Sequence, residues 1–324
     1  MTNPRVYIHI GMNKTASSTL QSWLNSQGAL LKERGLLYPD FYRHGDAHYP
    51  FSSTFNFGPF DYENRQQKKS ELKDLLCKEI RQGRYNKIVW SSEYFINDND
   101  VAELKCFFED YECKVVIYLR RHDFWWQSRY AQALKFPGRK PYARGLEAFI
   151  QYVEQADHYS RYADIIDRWE HVFGRENILV RPLEKEQNRG GVVADFLQTI
   201  EFEPAGINTE AVSENRALSN QACYILDLAR SGVLTESEYV KLSYYLQAND
   251  PFTDRTPLLS PEQRLNIVQR CQAAQYSYIA KKYLGRKNGE LFYAPIPDLS
   301  QDWVSPAPPS EAEIQSIFLQ AQMA

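Results

Sequence analysis

Residues 6–23 read VYIHIGMNKTASSTLQSW, and few folds accommodate that order of parts. The first five are mostly apolar, β-branched enough and few enough for a buried strand. Gly11 breaks the run, Lys14, Thr15, Ala16, Ser17, Ser18 and Thr19 follow, and then Leu20, Trp23 and Leu24 recur at helical spacing. A buried strand, a tight turn and a hydroxyl-rich helix start form the unit with which α/β proteins hold phosphate. Free N–H groups of the first helical turn face the anion, and the helix dipole adds positive potential. Lys14 supplies a full charge there, and the hydroxyls supply further donors. A plain N-cap at a strand-to-helix turn is the competing reading.

The alternation continues down the chain. A helix running to about residue 34 stops at Gly35, and residues 36–39 form a short extended piece. Residues 41–62 carry His44, His48, Tyr49, Phe51, Phe55, Phe57, Phe60 and Tyr62 among Gly, Pro and Ser, too aromatic for disorder. Such a long irregular segment is either one wall of a binding site or a loop pinned to the core. A helix over 67–82 ends at Gly83, and a buried strand over 87–90 delivers Ser91, Ser92 and Glu93 to its end. After a helix near 101–108 comes the clearest strand, residues 114–119, ending at Arg120 and Arg121 before a helix that carries Ser128 and Arg129. Helices over 145–154 and 161–173, a strand over 177–182 and a helix over 190–197 complete a doubly wound pattern. Beyond residue 208 only helices are predicted, near 218–230, from Thr235 and from Ser260 to about 283. Thr235 with Glu238, and Ser310 with Glu313, are capping boxes. The class is α/β: three layers around a central four- to five-stranded, mostly parallel sheet, plus a helical C-terminal part. Residues 1–207 are the expected core and 208–324 a helical extension packed on it within one domain.

Composition narrows the function classes. With 43% hydrophobic and 24% charged residues and a net charge of −3, the chain lacks the basic surplus of a dedicated nucleic-acid binder. A local basic cleft is compatible with that balance. No run approaches a membrane span, and the opening residues have no basic-then-apolar leader pattern. Five cysteines without a CxxC pair argue against a disulfide framework or a zinc site, so a cytoplasmic location is expected.

The loop is no Walker A sequence, because Lys14 and Thr15 follow Gly11 after only two residues. Gly11, Lys14, Thr15, Ser18, Leu20 and Gln21 instead resemble the 5′-phosphosulfate loop of the sulfotransferases, GxxKTGTTxLQ. The chain departs from it at Ala16, where that family has glycine, and at Ser17, where it has threonine. Ala16 still offers its N–H if its backbone stays helical and not at positive φ. Arg120 and Ser128, eight positions apart, resemble the pair with which that family binds the 3′-phosphate of its nucleotide, and YLRRHDFWWQSRYAQALK around them is similar too. GGVVADFL near 190–197, and residues 215–219 and 260–292, resemble later parts of bacterial sulfotransferase-like proteins.

The resemblance implies a P-loop-NTPase-like core and 3′-phosphoadenylyl sulfate (PAPS) as co-substrate. It further implies 3′-phosphoadenosine 5′-phosphate (PAP) as product, and no metal. Lys14 and the N–H groups of Thr15 to Thr19, including those of Ala16, Ser17 and Ser18, would hold the phosphosulfate. Glu93, at a strand end beside the loop, is the expected base, with His48 as acceptor contact or substitute base. His9, inside the first strand, reads as a core or loop-supporting histidine. Arg121 and Arg129 extend the positive cleft or are solvated, and Arg286 with Lys287 would close over the nucleotide. The acceptor is a sugar hydroxyl of a glycan, a lipid-linked sugar or a small metabolite. A P-loop kinase and a non-catalytic nucleotide- or glycan-binding protein are the rival classes. The kinase lacks its loop spacing and the strand-end aspartate that would hold magnesium.

Overall fold

The computed structural model describes residues 3–323 apart from 98, 100, 139, 157, 205, 211–216, 231–233 and 301, so residues 215 and 216 of the expected C-terminal resemblance lie outside the described residues. The strands are β1 (Arg5–Ile10), β2 (Leu36–Leu37), β3 (Lys87–Ser92), β4 (Cys113–Leu119) and β5 (Ile178–Pro182). They form one parallel sheet in the order β2-β3-β1-β4-β5. The helices of the first half are α1 (Ser17–Ser26), α2 (Gly28–Glu33), α3 (Tyr49–Thr54), α4 (Arg65–Gln82), α5 (Ala102–Phe107), α6 (His122–Ala133) and α7 (Leu146–Ala156). Then follow α8 (Tyr162–Phe173), α9 (Gly191–Thr199), α10 (Asn220–Ala229), α11 (Glu236–Asn249), α12 (Pro261–Cys271), α13 (Ser277–Leu284) and α14 (Glu311–Met323). Among the described residues no helix is long and apolar enough to cross a membrane.

The chain divides into two compact units. The first takes Met1–Arg120, Arg161–Val212 and Ala273–Ala294, and it holds the whole sheet. Its central strand β1 is hydrogen-bonded on both sides, to β3 and β4, and is buried on both faces from Val6 to Ile10. That double burial explains why its sequence is a continuous run and not an alternation. On one face Tyr7, Val89, Val116 and Tyr118 pack with Leu20, Trp23 and Leu24 of α1 and Val193, Phe196 and Leu197 of α9. On the other, Trp90 is stacked on Phe51 of α3 at 3.9 Å, and Phe51, Phe95 and Trp169 continue the aromatic layer.

The middle of the aromatic segment 41–62 is therefore core, while Phe41, Tyr49 and Tyr62 are half-buried and His44 and Phe60 exposed. It contains α3, which was not expected, and Phe51, Phe55 and Phe57 are at most 1% exposed. The first helix is also interrupted at Gln27, giving α1 and α2. The expected long helix from residue 260 contains a wider π turn at Gln272–Tyr276, between α12 and α13. Gln275 in that turn accepts hydrogen bonds from the backbone N–H groups of Tyr162 (2.7 Å) and Ala163 (3.4 Å), capping α8.

The second unit comprises Arg121–Ser160, Ser213–Gln272 and Pro295–Ala324, and its described elements are helices. Asp123 on α6, fully buried, is gripped by both nitrogens of the Arg121 fork (2.8 and 3.0 Å) and by Arg264 (2.9 Å). Arg121 is only 3% exposed, so neither the solvated nor the cleft-lining expectation holds for it. Nearby, His122 is fully buried with Nε2 on the Ser160 carbonyl at 3.0 Å, and burial holds its pKa down at about 4. Tyr239 and Ser243 of α11 donate to the carbonyls of Leu134 and Lys135 at the end of α6, both at 2.7 Å.

The stack of Phe51 on Trp90 makes a specific expectation. Phe51→Ala should lower the unfolding free energy by about 3–5 kcal/mol, as large-to-small core changes do. Denaturant titration measures it; a loss below about 1 kcal/mol would mean that α3 is not packed as described.

Candidate functional site

The loop after β1 is shaped by one carbonyl. Met12 O accepts the Thr15 N–H (3.2 Å), the Thr15 hydroxyl (2.7 Å) and the Ser17 hydroxyl (3.0 Å). Thr15 and Ser17 are consequently 1% and 2% exposed, and their hydroxyls staple the loop instead of facing an anion. That corrects the expectation that every hydroxyl of the run is a ligand donor: Ser18 is exposed and Thr19 half-buried. The Thr15 N–H is used in the same way, so the open donors begin one residue later.

Ala16 is the N-cap of α1 with φ 62° and ψ 19°, and no side chain caps the helix. The expectation of a helical Ala16 is thus corrected: it occupies the left-handed conformation that glycine adopts at least cost. Lys14 is left-handed too, at φ 65°. With alanine at the cap, the N–H groups of residues 16–19 have no acceptor within the helix and no capping oxygen. Open first-turn N–H groups and a lysine charge are the features that favour an anion at a helix start.

Glu93 lies beside it. In-register pairing brings Ile10 opposite Ser92, so the ends of β1 and β3 meet at one sheet edge. Gly11 lets Glu93 come close: a Cβ there would stand 3.1 Å from the Glu93 side chain and 3.0 Å from Ser17 Oγ. Burial pushes the Glu93 pKa up to about 7, while the Lys14 charge and a Tyr49 hydroxyl bond hold it from rising further. Tyr49 donates to Glu93 Oε2 at 3.4 Å and meets Tyr94 edge-on at 5.0 Å. The hydroxyls of Ser91 and Ser92, which precede Glu93, are engaged elsewhere. Ser91 Oγ is engaged by His9 (2.7 Å) and Gln21 (3.0 Å), and Ser92 Oγ by Ser52 (2.8 Å). Sequence reasoning missed Tyr49 in this role; it sits 44 residues earlier and only the fold brings it to Glu93.

His48 is not placed to act as a base or to meet an acceptor. It is fully buried, and beyond the two residues of β2 it takes over the edge of β3. Its backbone N–H donates to the Ser91 carbonyl (2.8 Å), Nδ1 accepts the Ser91 N–H (3.2 Å), and Nε2 donates to the Pro39 carbonyl (2.9 Å). These bonds fix the neutral Nε2–H tautomer, and burial lowers the pKa to about 3. His9 is likewise buried and lowered to about 3. Arg120, half-buried at the end of β4, donates from Nη1 to the Lys14 carbonyl at 3.2 Å. Ser128 lies half-buried on α6 in the second unit. The Arg286 guanidinium donates to the Glu290 and Leu291 carbonyls (3.1 and 2.9 Å) and to Gln187, bonds that tie residues 286–291 to the segment after β5.

No family model matches the chain. An uncharacterized protein of Archaeoglobus fulgidus is 29% identical over 208 residues, which is 62% of this chain and 55% of that protein. The match thus spans about half the length of that relative. A crystal structure of a sulfotransferase from Alicyclobacillus acidocaldarius is similar over 66% of this chain and 87% of its own, at 16% identity and a TM-score of 0.39. The sulfotransferase domain of the Synechococcus PCC 7002 olefin synthase is similar over 83% and 94%, at 12% identity and a TM-score of 0.34.

The left-handed cap has a measurable consequence. Ala16→Gly should raise stability by about 0.5–1 kcal/mol, the relief of the Cβ clash less the entropy of glycine in the unfolded chain. An equal or lower denaturation midpoint would show that Ala16 carries no strain.

Proposed function

We propose that the protein is a sulfotransferase that moves a sulfuryl group from PAPS to a hydroxyl or amine of a small-molecule or glycan acceptor. The observation that carries this reading is the pairing of an uncapped, lysine-bearing anion loop with a carboxylate of pKa about 7 packed against its glycine. Acceptor activation needs a base titrating near neutrality, and an anionic leaving group needs fixed positive charge. Both demands are met at one sheet edge. The loop's resemblance to the 5′-phosphosulfate motif supports the choice of donor over ATP.

When bound, PAPS supplies the sulfuryl group on a mixed anhydride with its 5′-phosphate. The N–H groups of residues 16–19 orient that phosphate, and Lys14 offsets the charge that grows on it. No reorganisation is needed, because the loop is already folded around Met12. Glu93 as carboxylate takes the proton of the acceptor at an oxygen held by Tyr49 Oη. Gly11 keeps that carboxylate next to the loop.

Lys14→Ala should cut turnover about a hundredfold or more while the protein stays folded. In wild type, PAP should raise the melting temperature and ATP with magnesium should not. The reverse pattern would make the protein a kinase, and an active Lys14→Ala enzyme would remove the loop from the chemistry.

Wild-type kcat/KM should rise with pH and level off above about 7 as Glu93 ionises. Glu93→Gln should lose that limb and about two to four orders of magnitude in rate. It should melt no lower than wild type at pH 8. The raised pKa means that protonated Glu93 favours the fold, a contribution complete below the ordinary value of 4.5 and lost as pH rises through about 7. A fully active Glu93→Gln protein would move the base elsewhere.

A further inference from the structure

Lys14 and Ala16 both hold left-handed backbone at φ 65° and 62° although neither is glycine. Such conformations persist where the surroundings over-determine them. Met12 fixes Thr15 and Ser17, the residues after Lys14. On the peptide that leaves Lys14 itself, the Lys14 carbonyl accepts the hydrogen bond from Arg120 Nη1 at 3.2 Å. Arg120 is anchored in turn: its own carbonyl accepts the hydroxyl of Tyr162 at 2.8 Å, and Tyr162 is fully buried. The Tyr162 N–H is held by Gln275 at 2.7 Å. A continuous set of bonds therefore runs from the capped start of α8, through the end of β4, to the loop.

We propose that Arg120 is a positioning residue for Lys14, fixing the left-handed peptide from which that lysine reaches the 5′-side anion. This rests on the reading of the loop as the nucleotide site. It differs from what the resemblance implies, namely an arginine that serves the 3′-phosphate. A guanidinium has five N–H donors in a rigid fork, so one can hold a carbonyl while others meet a ligand. Loss of Arg120 should then weaken binding of an anion that has no 3′-phosphate at all.

The test is calorimetric titration of wild type, Lys14→Ala, Arg120→Ala and the double variant with PAP, AMP and inorganic pyrophosphate. Melting curves check that each variant is folded. Arg120→Ala should weaken AMP as well as PAP by about tenfold or more, the usual worth of a charge-assisted hydrogen bond. On AMP, the double variant should lose less than the product of the single losses, because Arg120 acts through Lys14. Tyr162→Phe should show the same pattern more weakly. Arg120→Ala that loses PAP but keeps wild-type affinity for AMP would overturn the proposal, and so would independent, multiplying losses. If wild type binds pyrophosphate but not PAP, the sulfotransferase reading fails, and the same cycle on pyrophosphate still decides the role of Arg120. Wild type that binds none of the three would sink both.

Discussion

The Met12 carbonyl is the point on which the candidate site turns. A backbone oxygen with two lone pairs takes three donors, one N–H and two hydroxyls, all from the next five residues. These bonds close the loop, and the two side chains that make them are buried. What remains is the first-turn N–H groups of α1, the half-buried Lys14 and the exposed Asn13 and Ser18. Two left-handed residues are the cost of that geometry. The sheet supplies the frame, since β1 enters the loop with partners on both sides and cannot shift register without unmaking its core.

At the end of β3 one physical cause has opposite results. His9 and His48 flank Ser91, and burial disfavours their cationic forms. Glu93, two residues on, is pushed the other way, because burial disfavours its anion. The histidines are fixed as neutral hydrogen-bonding parts of the sheet. The carboxylate is brought to the edge of ionisation at neutral pH, where a small change in its surroundings changes its charge.

Features set by neighbours in the chain could be read from the sequence; features set by tertiary closure could not. The strand, glycine and helix of residues 6–23 announce themselves through periodicity and a break, and β4 through an unbroken apolar run. The position of Glu93 at the sheet's C-terminal edge was legible because it directly follows a buried strand. His48 was not. Its place depends on β2 stopping after two residues and leaving Ser91 short of a partner, which no local pattern reveals. The conformation of Ala16 was hidden by its residue type, since alanine ordinarily signals a right-handed helix. The hydroxyls of Thr15 and Ser17 looked like ligand donors because residue identity does not say which way a short polar side chain turns. The aromatic segment 41–62 looked irregular because α3 is short and opens with proline as its second residue.

The neutral histidines bear on how the molecule tolerates acid. His9, His48 and His122 are each fully buried, with pKa values held at about 3, 3 and 4 against an ordinary 6.5. An unfolded chain takes up a proton at each near the ordinary value, and the folded chain refuses it. The stability that these residues contribute is complete above that value and drains away as pH falls toward 3 or 4. Protonating His48 also breaks its bond from the Ser91 N–H, which frees the edge of β3. In the folded chain these imidazoles take up protons only near pH 3 to 4, well below the value of about 7 at which Glu93 beside the loop does so. Acid thus acts on the molecule in two ways: it neutralises the carboxylate beside the loop near pH 7, and below the ordinary imidazole value it withdraws the stability that the buried neutral histidines contribute.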